Sequence, residues 1–153
     1  MISLRDVSKD DLAVLFDQQR DAEANEVAVA NPRDRASFDA HWAKILTDTD
    51  VVAKVIVDGD LVLGQISCFS HEGKASVGYW IGREHWGTGV VTRALALLLD
   101  EVSLRPLHAR VARTNVASLR ALQRHGFKVT GYEHAPATER FPACDEAILV
   151  LAR

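Results

Sequence analysis

Gly87-Thr88-Gly89 constrains the fold more than any other part of this chain. The alternating segment Val77-Gly78-Tyr79-Trp80-Ile81 reads as a strand and leads through Gly82-Arg83-Glu84-His85 into Trp86 and the two glycines. Behind them Val91, Ala94, Leu95, Leu98 and Val102 recur at helical spacing. A strand delivered through a glycine turn into an apolar helix is a unit of α/β architecture, in which the helix packs back on the sheet. Glycine accepts positive φ and leaves the backbone open to a ligand. The first amides of the helix have no internal partners and carry the positive end of its dipole, so the turn suits a phosphate. The same pair of glycines also fits an ordinary tight turn. Gly82 and Gly87 have P-loop spacing, but Thr88-Gly89 follows where Lys-Ser/Thr is required. A dinucleotide fingerprint needs an acid at the end of the next strand, and Leu107–Ala112 has none.

Around this unit the pattern predicts strands over Ile2–Val7, Val51–Val57, Leu61–Ser70, Ala75–Ile81, Leu107–Ala112, Phe127–His134 and Ala147–Leu151. Helices are expected over 9–20, with Ser8 as N-cap, and over 34–47, where Phe38, Trp42, Ile45 and Leu46 form a stripe. Another is expected over Asn115–His125, closed by Gly126. The polar stretch Asp21–Arg33, ending in Asn31-Pro32, reads as a loop. The order β-α-α-β-β-β-α-β-α-β-β implies a mixed sheet with helices on both faces.

Composition sets outer limits. A length of 153 residues, without repeats or low-complexity linkers, suits one domain over residues 1–153. The longest apolar runs, Ala94–Leu99 and Ala147–Ala152, have six residues, far short of the ~20 that cross a membrane. Eighteen Lys and Arg against 21 Asp and Glu give a net charge of −3, which argues against a general nucleic-acid binder. With no secretory leader in the N-terminal sequence, the expectation is cytoplasmic, with Cys68 and Cys144 as reduced thiols. The six histidines show no metal-ligand spacing, so no metal is expected.

Taken in order, Gly78-Tyr79-Trp80-Ile81, Trp86-Gly87-Thr88-Gly89, Asn115-Val116-Ala117-Ser118 and His125-Gly126-Phe127 resemble the GNAT superfamily of acyl-CoA-dependent N-acetyltransferases. Within it they are most similar to the branch that contains the ribosomal-protein N-terminal acetyltransferases. The motifs cover Gly78–Gly131, about a third of the chain, while the element order matches throughout. The resemblance implies an α/β fold with a mixed, mostly antiparallel sheet, helices on both faces and a splayed central strand pair. It implies acetyl-CoA as co-substrate. The backbone of Trp86, Gly87, Thr88, Gly89, Val90, Val91 and Thr92 would wrap its pyrophosphate. Trp80 and Ile81 would pair with the pantetheine and hold the thioester carbonyl. Asn115 would bond the pantetheine arm, and Ser118 would lie beside the thioester sulfur. Asn115 equally fits a helix N-cap, and Ser118 a packing position.

The chain departs from the family pattern in three places. Ser76 stands where many relatives of this branch carry a glutamate, Leu122 where other branches carry a tyrosine acid, and Val91 where the pyrophosphate turn usually has Gly or Ala. Ser118 is therefore the expected thiolate partner. Of the acids near the sheet edge, Glu72, Glu133 and Glu139, the preferred base is Glu139. Arg110, Arg113, Arg120 and Arg124 form a local basic cluster, with Arg124 the best placed for the coenzyme phosphates. The resemblance also implies that Asp17–Arg35 walls one side of the acceptor cleft and His134–Asp145 the other; in the first stretch Asp17, Asp21, Glu23 and Glu26 suggest an acidic edge suited to a cationic amine.

The expected activity is acetyl transfer to a primary amine by direct attack, the acceptor being a small molecule or a protein N-terminus. No nucleic-acid or membrane partner is expected, and a monomer or a homodimer fits equally. The rival reading is a non-catalytic acyl-CoA-binding domain, motivated by Ser76 and Leu122. A nucleotide-binding module built on the Gly87/Gly89 turn is a third.

Overall fold

The computed structural model describes residues 1–153. Ile2–Asp6 forms β1, and a 3-10 turn at Lys9–Asp11 leads into α1, Leu12–Gln19. The expected N-cap is built as a reciprocal box, in which the Ser8 N–H donates to Asp11 Oδ2 at 2.8 Å. Arg5 grips the buried Asp11 carboxylate with two further bonds of 2.8 Å. The Arg5 hydrogen bond, above all, holds the Asp11 carboxyl below the usual carboxylate range. A depressed folded-state pKa contributes stability above the ordinary carboxylate pKa, and that stability is lost as pH falls through the lowered one. Asp11→Asn is expected to cost about 1–2 kcal/mol at neutral pH. It should also flatten the acid limb of the denaturation midpoint against pH, and an unaltered acid limb contradicts this role.

The stretch Asp21–Arg33 is not all loop. It contains α2, Ala22–Ala28, capped where Asp21 Oδ2 accepts from the Ala24 N–H at 2.9 Å. Only Ala24 and Asn25 in it are buried, so no apolar stripe announces the helix. The chain leaves α2 through Val29, which takes the left-handed conformation at φ 53°. A β-branched residue adopts this at a cost of roughly 1–2 kcal/mol per residue. The kink turns the chain back toward α3, Arg35–Thr47, which Asp34 caps.

Val52–Asp58 (β2), Leu61–His71 (β3) and Lys74–Ile81 (β4) form an antiparallel meander that β1 extends at its outer edge. Then follow α4 (Val90–Glu101), β5 (Leu107–Ala112), α5 (Val116–Arg124), β6 (Lys128–Ala135) and β7 (Cys144–Leu151). The sheet order is β1-β2-β3-β4-β5-β7-β6, and β4 with β5 is its one parallel pair. Strand alternation sorts the core into two layers. Val55 and Val57 pack with Leu15, Phe38 and Trp42 under α1 and α3, while Ile56 joins Leu95, Leu98 and Leu122 under α4 and α5. The expected fold class is thus observed, with helices on both faces.

The parallel pair positions the site. Only Ser76 and His108 are in register between β4 and β5, whereas β5 and β7 align over six residue pairs. Beyond Ser76 the two strands part, and the β4 edge from Val77 to Ile81 faces no strand. Both cysteines are free. Burial pushes the Cys68 and Cys144 thiols up, which disfavours the thiolate form a nucleophile needs.

Candidate functional site

The gap between β4 and β5 opens into a groove of about 570 Å³. Its walls come from α2 (Ala24, Val27, Ala28), the end of β4 (Tyr79, Trp80, Ile81), the glycine turn with the start of α4, and α5. The Gly82 N–H donates to Leu63 O, toward β3. By the alternation of strand amides, the N–H of Ile81 therefore points to the open edge. The Ile81 carbonyl lies on that side too, where it accepts from the Trp86 indole N–H at 3.0 Å.

At the head of the groove Gly87 and Gly89 take φ of 75° and 78°, and the space a side chain would occupy at either is empty for 4 Å. Gly89 is the N-cap of α4 and supplies no side-chain cap. The N–H groups of Gly87 through Thr92 have no backbone partner; the first helical bond runs from Arg93 to Gly89 O. A phosphate is the natural partner for such a run. The Trp86 amide is not part of it, because it donates to Arg83 O at 3.2 Å. Thr88 does not line the groove; its hydroxyl donates to His85 O at 2.7 Å and pins the turn.

Asn115 caps α5 by accepting from the Ser118 N–H at 3.3 Å, which leaves its amide NH₂ free toward the groove it lines. Ser118, one turn on, has its hydroxyl 2.5 Å from the phenol oxygen of Tyr79. Burial raises the Tyr79 pKa, and the bond to Ser118 only partly opposes this. The phenol is therefore a protonated acid at neutral pH, held by a hydroxyl in the groove.

Arg124 also lines the groove and is exposed, with no ion-pair partner. Its neighbours in the basic cluster are engaged elsewhere, Arg110 with Glu133 and Glu146 and Arg113 over the Tyr132 ring. Arg124→Ala is expected to weaken coenzyme A binding about threefold to fivefold in calorimetry, the scale of an exposed ion pair. Added salt should erase the difference, and equal affinities at low salt would remove Arg124 from the phosphate site.

Trp80 separates this groove from a second, smaller cavity of about 60 Å³ on the other side of the sheet. The Trp80 indole N–H donates to Gln18 O at 3.1 Å, fixing the partition. The smaller pocket is lined by Gln18, Gln19, Arg33, His41, Gln65 and Arg140, with Leu15, Phe38 and Trp42 as its apolar floor.

A family model described as the acetyltransferase (GNAT) domain matches residues 2–128. The chain belongs to the GNAT acetyltransferase family. Among proteins similar to this GNAT acetyltransferase is "Uncharacterized N-acetyltransferase p20" of Bacillus licheniformis, 24% identical over 143 residues, covering 85% of this chain and 80% of that one. Among solved structures, a spermidine N-acetyltransferase from Vibrio cholerae in complex with CoA and spermine superposes with a TM-score of 0.84 at 16% identity. That match covers 99% of this chain and 95% of the other. Mycobacterium smegmatis RimJ in complex with CoA-disulfide follows at 0.80 and 22%, covering 99% and 81%. At these identities the likeness is one of fold.

The fold brings Trp80, Ile81, Trp86, Gly87, Gly89, Val90, Val91, Thr92, Asn115, Ser118 and Arg124 to the one groove. Glu139 is not among them. Its side chain is exposed in the β6–β7 loop and lines neither cavity, while its carbonyl accepts from the Asn31 amide. Ser76 is buried and donates to Lys74 O, and Glu133 is spent on Arg110. The acidic edge is partly spent, with Glu26 left exposed and unpaired. Asp21 and Glu23 hold Arg83 at 3.0 Å, and Asp17 stands exposed beside Arg20. Missed from the sequence are Tyr79 as an acid and the helical form of α2; the stretches that hold α2, Arg33 and Arg140 are those expected to wall the acceptor cleft. Tyr79 alone carried a usable signal, since alternation along β4 puts it on the face of Ile81, toward α5.

Proposed function

We propose that residues 1–153 work as one acetyl-CoA-dependent N-acetyltransferase that moves the acetyl group to a primary amine by direct attack. The observation that carries this reading is the Tyr79–Ser118 pair, 2.5 Å apart in the groove beside the open edge of β4. The coenzyme pyrophosphate would sit on the free amides from Gly87 to Thr92, with the pantetheine along β4 and Asn115 donating to it. The Ile81 N–H would bond the thioester oxygen, where negative charge grows in the transition state. The amine nitrogen forms a bond to the carbonyl carbon, and the carbon–sulfur bond then breaks. Tyr79, relayed by Ser118, gives the departing thiolate its proton; the proton released from the amine nitrogen passes to solvent, from which the Tyr79 phenolate is reprotonated. This resolves the absence of a phenol at Leu122, because the acid comes from β4 instead of α5.

No carboxylate lines either cavity. The amine must still be neutral to attack, and nearby cations favour that form by disfavouring the ammonium. Arg33 and Arg140 stand on the acceptor side of Trp80 and supply this effect. RimJ is among the similar folds, which supports the finer placement near N-terminal acetyltransferases. Spermine in the Vibrio enzyme supports a small-molecule acceptor equally well.

The test is thiol release from acetyl-CoA over a panel of amines, run beside calorimetric titration of coenzyme A. Binding with stoichiometric thiol and N-acetyl product is the expected result. Binding without release on every amine would establish the non-catalytic reading in its place. Stronger binding of ATP or NAD than of coenzyme A would overturn both.

A further inference from the structure

We infer that the pocket behind Trp80 receives an oxyanion carried by the acceptor, so that the substrate is a small amine bearing a carboxylate or phosphate group. This deepens the transferase reading above and rests on it.

The pocket is built for negative charge. Arg5, Arg20, Arg35, Arg83 and Arg110 each face a carboxylate, whereas Arg33 and Arg140 line the cavity and pair with none. Both are partly withdrawn from water. Burial lowers the pKa of each, that of Arg140 to about 10. Desolvated cations without a counter-charge are costly, and an anionic ligand would remove the cost. The charges acting on His41, which sits between them in the wall, are all positive: Arg33, Arg140 and Lys44. With its own burial as the largest cause, they lower its pKa to about 4, so the ring is neutral at pH 7 and adds no further positive charge.

The backbone of Arg33 and the guanidinium of Arg140 are held in place before any ligand arrives. The Gln19 side chain clamps the Arg33 backbone, accepting from its N–H at 2.8 Å and donating to its carbonyl at 3.0 Å. Arg140 donates to the Asn31 carbonyl, and the Asn31 N–H donates back to Arg140 O at 2.6 Å. The Arg140 guanidinium lies 5.5 Å from the centre of the Trp80 ring, within cation–π range. Thus the α2–α3 loop and the β6–β7 loop are tied together across the pocket mouth, each contributing one guanidinium. Gln18, more than nine-tenths buried in the wall, keeps an Oε1 with no partner, an acceptor for an amine or amide N–H. At about 60 Å³ the cavity holds on the order of five waters, room for one oxyanion and little else. A carboxylate leaves one positive charge over, which still favours a neutral amine, whereas a phosphate dianion cancels both. A polyamine would place further ammonium groups against two arginines.

The test titrates products into the protein saturated with coenzyme A. The probes are the twenty N-acetyl-L-amino acids, each against its carboxamide, together with N-acetylaminomethylphosphonate and N-acetylspermidine. At least one oxyanion-bearing probe should bind tenfold or more tighter than its uncharged counterpart. Arg140→Gln and Arg33→Gln should each weaken it at least about thirtyfold and leave the carboxamide unchanged. The second variant guards against a folding defect, since the Arg33 guanidinium makes no bond within the protein. Preference for the phosphonate over the carboxylates names which oxyanion is read. Equal binding of acids and amides, tightest binding of N-acetylspermidine, or no binding of any anion overturns the inference. Thiol release is scored separately: selective anion binding without turnover on any amine overturns the transferase reading alone.

Discussion

Tyr79→Phe should lower kcat about a hundredfold, at the low end of what a positioned general acid contributes, and leave coenzyme A affinity within about twofold. Removing one oxygen keeps the ring in place beside α5, so packing is preserved while the proton for the thiolate is lost. The pH profile adds a second reading. Burial raises the Tyr79 pKa, so wild-type turnover shows no loss from Tyr79 ionisation at neutral or mildly basic pH. It falls only once the phenol ionises above its ordinary range, and in Tyr79→Phe that alkaline limb is absent. Ser118→Ala should cost about as much, since it breaks the relay that carries the phenol's proton to the thiolate. A Tyr79→Phe enzyme with wild-type kcat would return the role to Ser118 alone.

The double substitution Gly87→Ala with Gly89→Ala should weaken coenzyme A binding at least about a hundredfold. Each residue sits at a positive φ that costs an L side chain roughly 1–2 kcal/mol. The strain has nothing to offset it, because the added methyl groups meet no neighbours within 4 Å. Relief comes from remodelling the turn, which turns the amides of Gly87 through Thr92 away from a common centre. The methyl groups also occupy the space through which a phosphate approaches. Thermal unfolding of the double variant without coenzyme should be modestly lower, while the stabilisation that coenzyme A gives the wild type should vanish. Retention of that stabilisation would mean that the phosphates rest elsewhere.

The parts of this molecule legible in the sequence are those written in local pattern. A β-branched run marked β2, alternation marked β3, and the Val91-Ala94-Leu95-Leu98 stripe marked α4. The glycine turn and its unpaired amides were legible because their chemistry is backbone chemistry, set by three adjacent positions. The helix α2 was hidden because it buries only Ala24 and Asn25 and so has no apolar face to read. The meeting of Arg33 with Arg140 was hidden for a different reason, although the two stretches that carry them were the expected walls of the acceptor cleft. Arg33 and Arg140 lie in loops far apart in the chain, and their meeting depends on hydrogen bonds between Asn31 and the β6–β7 loop. No periodicity records such a contact. The acids of 17–26 looked like a cation-binding edge because the sequence does not disclose that Arg83 takes Asp21 and Glu23. Once those pairs are formed, the charged groups that line the small pocket behind Trp80 are arginines alone.

This reversal bears on substrate choice within the GNAT family. On the proposed reading the coenzyme lies along β4, the glycine turn and α5, while the loops around Trp80 decide what stands opposite. In this chain those loops contribute two guanidinium groups and no carboxylate to the pocket.

The most direct measurement of the central claim is a crystal structure with acetyl-CoA bound. The account predicts the pyrophosphate on the amides between Gly87 and Thr92, the thioester oxygen in hydrogen-bond reach of the Ile81 N–H, and the sulfur beside the Tyr79–Ser118 pair. A coenzyme whose thioester lies away from Tyr79 and Ile81, or whose phosphates avoid the glycine turn, would contradict it.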